Sequence, residues 1–155
     1  VIVVTGYEHE LIQNALLNLP VKIIYNPAYE RGMTTSIQTG IPLSQGNGYM
    51  ICLSDMVLLA SEDYAALKAS FEEQVQVDKK CICIPVYKGQ KGNPVIFSSF
   101  YRELILQSEY MEGCKNIIAD YKENVHFVQM NTSNILTDID NPEDYNKLSQ
   151  LTDSQ

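Results

Sequence analysis

The chain has 155 residues, 45% of them hydrophobic, the size of one ordinary domain with enough apolar material for a real core. Its net charge of -8 and pI near 4.6 disfavour sequence-independent binding to nucleic acid or an anionic membrane, since both need a cationic surface. No apolar run approaches the roughly 20 residues that span a bilayer, and no signal-like segment opens the chain, so it reads as soluble.

The β-branched run Val1 to Val4 predicts a strand ending at Thr5-Gly6, and it opens with no cap or turn before it, like a cut made inside a domain. Apolar residues at Leu11, Ile12, Ala15, Leu16 and Leu19 predict a helix over Glu8 to Leu19, closed by Pro20. Val21 to Tyr25 is a second strand, broken by Asn26-Pro27, and a short helix over Ser36 to Ile41 would take Thr34 or Thr35 as its cap. Tyr49 to Leu53 is an almost unbroken apolar run, as in a central strand covered on both faces, with Asp55 just beyond its end. Ser61-Glu62-Asp63 begins an amphipathic helix reaching about Gln76, with Ser61 placed as its cap and an acid in the first turn.

Cys81 to Val86 follows as a strand, Lys88 to Pro94 as a turn-rich loop, and Val95 to Phe97 as further extended chain. Ser98 would cap a helix through Gln107, and Gly113 to Tyr121 is helical. Val125 to Met130 and then Ile135 to Ile139 read as extended, and Asn141-Pro142-Glu143-Asp144 begins a terminal helix, with a polar tail beyond Leu148. Alternating strands and helices argue for an open α/β domain, its mostly parallel sheet covered on both faces, with ligands beyond the carboxyl ends of the strands.

Several residues could carry chemistry. Asp55 stands where a carboxylate can meet a metal without being buried unpaired, although a turn aspartate would look the same. Asp138 and Asp140 would share one side of an extended stretch, yet Asp-Asn-Pro-Glu-Asp is also a good helix start. The loops Arg31 to Ser36 and Lys88 to Pro94 offer glycines, backbone N–H groups and the charges of Arg31 and Lys91 to a phosphate, or are ordinary surface loops. His9 and His126 stand near no nucleophile motif, and the ten tyrosines serve equally as a stacking wall or as core edges. Of the four cysteines, Cys81 and Cys83 would share a strand face, but no second Cys or His pair stands at zinc spacing, so packing in a reduced, cytoplasmic protein fits them best.

Taken in order, these segments resemble the molybdenum cofactor cytidylyltransferase and guanylyltransferase family. The resemblance rests on Val3 to Tyr7 with Asn26 and Arg31 to Ile37, on Leu53-Ser54-Asp55-Met56, on Pro85 to Phe97, and on Asp138-Ile139-Asp140-Asn141-Pro142-Glu143-Asp144-Tyr145. It spans nearly all of Val1 to Leu148 and implies a single three-layer, Rossmann-like nucleotidyltransferase domain over 1–148, with a tail over 149–155. It implies Mg²⁺ held by Asp55 and Asp140, with Asn26, Thr35, Ser36, Asn93 and Lys91 positioning nucleotide or acceptor. The partners implied are a nucleoside triphosphate, CTP rather than GTP, and a phosphorylated pterin whose terminal phosphate attacks the α-phosphate and releases pyrophosphate. A sugar-phosphate or sugar-acid acceptor, or a noncatalytic nucleotide- or partner-binding module, are the alternatives.

The chain departs from the family pattern at Val57, Lys91, Asn93 and Tyr110-Met111, which blurs the acceptor but leaves Asp55 and Asp140 untouched. It also lacks the family's opening strand and glycine-rich phosphate loop. The expectation is therefore a sheet without its first strand, exposed apolar edges on its neighbours, no turnover by this chain alone, and a possible homodimer through the gap.

Overall fold

The computed structural model describes residues 1–141 and 143–146; the polar tail lies outside the described residues. Strand β1 (Ile2–Thr5), helix α1 (His9–Leu16) and strand β2 (Lys22–Tyr25) form a βαβ unit, with β1 and β2 parallel and Thr5 opposite Tyr25. The helix ends short of Leu19, in keeping with the restriction Pro20 places on the residue before it. Helix α2 (Met33–Gly40) follows, and β3 (Gly48–Ile51) leads to the long helix α3 (Ser61–Val77).

Strand β4 (Ile82–Tyr87) turns through Lys88 and Gly89, both at positive φ (48° and 83°), into the two-residue β5 (Gln90–Lys91). Two successive left-handed residues between paired strands make the tight hairpin turn that matches strand twist. Then come β6 (Val95–Ser98), α4 (Arg102–Leu106), α5 (Lys115–Asp120) and β7 (Val125–Gln129).

These strands form two sheets. β1 and β2 make one; in the other, β6 lies between β3 and β4, antiparallel to both, and β7 pairs in parallel with the opposite side of β4. β3, β4 and β7 therefore run in one direction, and the parallel arrangement is interrupted only by the reversed β6 and the hairpin β5. The connection from β4 to β6 is too short for a helical crossover, which forces that reversal. Pro85 sits in the middle of β4 without a backbone N–H, at the point where the antiparallel partner changes from β6 at Ile82–Cys83 to β5 at Val86–Tyr87.

Three layers result. Cys81, Cys83 and Ile96 face Leu67, Phe71 and Val75 of α3, while Ile82, Ile84 and Phe97 pack with Tyr49, Tyr101, Ile105 and Ile117 on the other side. The strand alternation is what sends consecutive β4 side chains to opposite faces. β4 is the strand covered on both faces, each residue buried from Ile82 to Val86. The sequence assigned that place to β3, which is only half-buried apart from Tyr49. Among the described residues β3 pairs with β6 alone, and a cavity opens on each face beside it. One, of about 280 Å³, is lined by Met50, Ile96, Phe71 and Val75; the other, of about 330 Å³, by Ile51, Leu53, Val95 and Phe97 among others.

Four local expectations are corrected. α2 begins at Met33 with Gly32 in the capping position, so Thr34 and Thr35 lie inside its first turn and cap nothing. The capping position of α3 is Ala60, one residue before Ser61. The stretch 98–107 opens as a 3-10 turn over Ser99–Tyr101 before α4, with no side-chain cap from Ser98, whose hydroxyl is spent on the Lys79 carbonyl. Finally, Ile135 to Ile139 is not extended throughout: Asn134–Leu136 is a 3-10 turn, where the Ile135 carbonyl accepts from the Asn93 N–H and Gly92 passes close by, with no neighbouring strand to pair with among the described residues.

Candidate functional site

The direction of the strands decides which segments meet. Asp55 lies four residues past the end of β3, Asn93 two residues before β6, and the loop over 130–140 directly after β7. Since β6 runs against its neighbours, its beginning shares an edge of the sheet with the ends of β3, β4 and β7. All three segments thus gather at the carboxyl ends, where open α/β sheets bind ligands.

They are bonded to one another. The Ile139 N–H donates to the Asp55 carbonyl at 3.0 Å, which brings Asp140 to within one residue of that rung. The Asn93 N–H donates to the Ile135 carbonyl at 3.0 Å, and the Gly92 N–H to the Pro85 carbonyl at 2.9 Å. Gly92 runs so close that a Cβ there would stand 2.2 Å from the Ile135 carbonyl oxygen.

Asp55 itself is half-buried, and its Oδ1 is enclosed without a hydrogen-bond partner. An orphaned carboxylate oxygen costs stability unless something charged meets it. Among the described residues no three His, Cys, Asp or Glu side chains cluster as a full metal cage. Two carboxylates, with the remaining positions left to water and phosphate oxygens, are what a small hard cation such as Mg²⁺ requires, so Asp55 and the exposed Asp140 fit that donor set.

The second predicted group is brought together on the other sheet. Asn26 is 1% exposed at the end of β2, donating to Thr35 Oγ1 at 2.9 Å and Ser36 Oγ at 3.1 Å and accepting the Ala28 N–H at 2.9 Å. Both amide hydrogens and the amide oxygen are therefore engaged within the protein, and the trio acts first as a staple between β2 and α2. Thr34, also 1% exposed, ties α2 to the loop over 110–113 through the Tyr110 carbonyl and the Gly113 N–H. The Met111 carbonyl oxygen lies against Gly32, where a Cβ would come to 2.7 Å of it, so this loop covers the start of α2. Lys91 is separate again: its ammonium stands 5.0 Å from the centre of the Phe127 ring.

Sequence reasoning missed the group that joins the acidic segments. Asp63, 7% exposed in the first turn of α3, accepts from the Ala60 N–H, Thr132 Oγ1 and Asn134 Nδ2 at 3.0, 2.9 and 3.1 Å. Burial pushes its carboxyl up, but these hydrogen bonds outweigh that and hold it below the usual aspartate value. The signal was the acid three residues after Ala60; the polar run Thr132-Ser133-Asn134 showed no partner by spacing.

Comparisons with known proteins bear on the family and the fold. The sequence pattern of the MobA-like NTP transferase domain matches residues 1–125. The chain is 24% identical over 147 residues to the molybdenum cofactor cytidylyltransferase of Escherichia coli (strain K12), spanning 94% of this chain and 71% of that protein. It shares its fold with a nucleotidyl transferase from Methanothermobacter thermautotroptrophicus, at a TM-score of 0.76 and 15% identity over 99% of this chain and 74% of that one. Rv0371c from Mycobacterium tuberculosis H37Rv, solved in complex with manganese, superposes with a TM-score of 0.69 at 18% identity, covering 96% of this chain and 77% of its own. This chain belongs to the MobA-like NTP transferase domain family, a family of nucleotidyltransferases.

Proposed function

We propose that the domain transfers a nucleoside monophosphate, CMP in preference to GMP, from the triphosphate to a phosphorylated acceptor, molybdopterin, with release of pyrophosphate. The observation that carries this reading is the enclosed, unpartnered Oδ1 of Asp55 at the carboxyl edge of the sheet, bonded through its main chain to the segment bearing Asp140. The acceptor and nucleotide preferences rest on the likeness to the Escherichia coli cytidylyltransferase.

In this reading Asp55 and Asp140 hold Mg²⁺, which when bound neutralises phosphate charge and favours departure of pyrophosphate. The protein's own work is alignment. Asn93 lines the apolar cavity beside β3 and is fixed through its N–H to Ile135, so its side chain meets a ligand from a rigid base. Ser36 keeps its hydroxyl proton for a ligand, whereas Asn26 and Thr35 hold the start of α2 in place. Lys91 can leave Phe127 for a phosphate at small cost, because a cation–π contact at an exposed site contributes only about 0.5–1 kcal/mol.

The test is calorimetric titration of CTP and GTP with Mg²⁺, on this chain and on Asp55→Ala, followed by a pyrophosphate-release assay with molybdopterin and with sugar phosphates. Metal-dependent binding of CTP that vanishes in the variant supports the reading. Absence of nucleotide binding both by this chain and by a form extended at its N-terminus with a glycine-rich phosphate loop sinks it and favours a partner-binding module, the reading consistent with the exposed Leu11 and Leu17 of the α1 segment and with the loop over 110–113 lying on Gly32.

A further inference from the structure

Asp63 bonds to both segments that carry the acidic residues. On one side its Oδ2 holds the Ala60 N–H, five residues after Asp55, in a turn also closed by the Leu59 N–H on the Met56 carbonyl. On the other its Oδ1 takes Thr132 Oγ1 and its Oδ2 takes Asn134 Nδ2, a few residues before Asp138 and Asp140. The rung from Ile139 to the Asp55 carbonyl closes the ring. The chain thus runs from Asp55 to Asp63, across hydrogen bonds to Thr132 and Asn134, on to Ile139 and back.

A helix start asks for less than this. Reciprocal capping asks only one bond of the third helical side chain, which accepts from the capping N–H. Ala60 has no side-chain oxygen to complete the reciprocal arrangement, so most of the Asp63 carboxylate is spent on the loop and not on its own helix. A buried carboxylate is costly unless fully bonded, and here its bonds are drawn from two segments that share no other side-chain hydrogen bond among the described residues. Movement of either segment leaves a charge with an empty acceptor site.

We infer that Asp63 is a positioning residue that sets the separation between Asp55 and Asp140 without touching the metal or substrate. The inference rests on the reading of those two aspartates as metal ligands. Its closest physical parallel is the outer-shell partner that orients a metal ligand, whose loss weakens metal affinity by about 10–100-fold.

The experiment is Mn²⁺ binding followed by electron paramagnetic resonance, with folding checked by circular dichroism. It compares the unaltered chain with Asp63→Asn, the double variant Thr132→Val/Asn134→Ala and the control Asp78→Asn. The double variant keeps the bond from Asp63 to Ala60 and so protects the helix start if Asp63→Asn fails to fold. Asp78 is a second hydrogen-bonded aspartate, at the far end of α3, bonded to Lys80 N–H, Asn124 and His126. The expected result is affinity weakened about tenfold in both loop-side variants, with Asp78→Asn within about twofold of the unaltered chain. Folded loop-side variants with unchanged Mn²⁺ affinity overturn the inference, as does an equal loss in Asp78→Asn, which would mean general loosening. Failure of the unaltered chain to bind Mn²⁺ overturns the metal reading itself and this inference with it.

Discussion

Gly92 passes the Ile135 carbonyl so closely that any side chain at that position would meet backbone: a Cβ would lie 2.2 Å from the oxygen and 2.8 Å from the carbon. Backbone cannot rotate away as a side-chain tip can. Gly92→Ala is therefore expected to push the loop ahead of β6 off the turn after β7, breaking the bond from Asn93 to Ile135 and costing about 1–3 kcal/mol. Urea unfolding midpoints measure the cost. Ala at Gly89, where nothing lies within 4 Å, tests the steric part of the argument, since its only penalty is the positive φ of 83°.

Asp55 gives the opposite sign. Replacing it by Ala removes an enclosed oxygen that has no partner, so thermal stability in metal-free buffer should hold or rise by about 0.5–2 kcal/mol. Metal-dependent nucleotidyl transfer by active preparations should fall at least about 100-fold. Thermal melts in EDTA beside activity in Mg²⁺ check both halves.

Asp78 predicts an acid-sensitive stability. Burial raises its pKa, but the Lys80 N–H, the Asn124 amide and His126 lower it further, for a net value below the ordinary 3.8. A carboxyl depressed in the folded state stabilises the fold above its unfolded pKa, and this is lost as pH falls through the folded value, so the window lies from about pH 4 downward. Asp78→Asn should be less stable than the unaltered chain at pH 7, with the gap closing at pH 3. Denaturant melts at the two pH values decide it.

Thiol labelling should find one fast cysteine. Cys52 is exposed, so that it is the accessible thiol although partial desolvation raises its pKa too, whereas Cys81 and Cys83 are 0% exposed and Cys114 only 8%. Burial pushes the Cys83 thiol up to about 12 and Cys114 up to about 11, which leaves almost no thiolate at neutral pH. A chromogenic disulfide reagent should release one equivalent quickly from native protein and four after denaturation; two fast thiols would contradict the packing of β4 against α3.

The βαβ unit at the start should open before the rest. α1 has no buried residue, with Leu11 at 64% exposure, whereas Leu67 in α3 is fully buried. Local opening free energy follows the apolar contacts an element makes. Amide hydrogen exchange should therefore run faster in α1 than in the middle of α3.

Much of the element order was legible because it rests on local chemistry. The 3.6-residue spacing of Leu11, Ile12, Ala15 and Leu16 marked α1, although it stops at Leu16 and not beside Pro20, and the run from Cys81 to Val86 marked β4. The segments bearing Asp55, Asn93 and Asp140 stand out as well, Asp55 by following an apolar strand, the loop of Asn93 by its glycines and lysines, and Asp140 by its place in the run Asp138 to Asp144. Asn141 also behaves as a helix start demands, its Oδ1 accepting from the Glu143 and Asp144 N–H groups at 3.0 and 3.1 Å.

Tertiary structure alone decided what those residues are bonded to. Tyr49 to Leu53 is as apolar as Cys81 to Val86, and no local signal says that β4 lies between two strands while β3 pairs only with β6 in the described residues. Asn26 has the composition of a ligand-binding residue, yet its amide is taken up by Thr35, Ser36 and Ala28. Asp63 looked like an ordinary first-turn acid, and its bonds to Thr132 and Asn134 bridge 69 and 71 residues of chain. Sequence encodes what each segment prefers by itself; hydrogen bonds across such separations depend on how the strands pair, which no window of neighbouring residues contains.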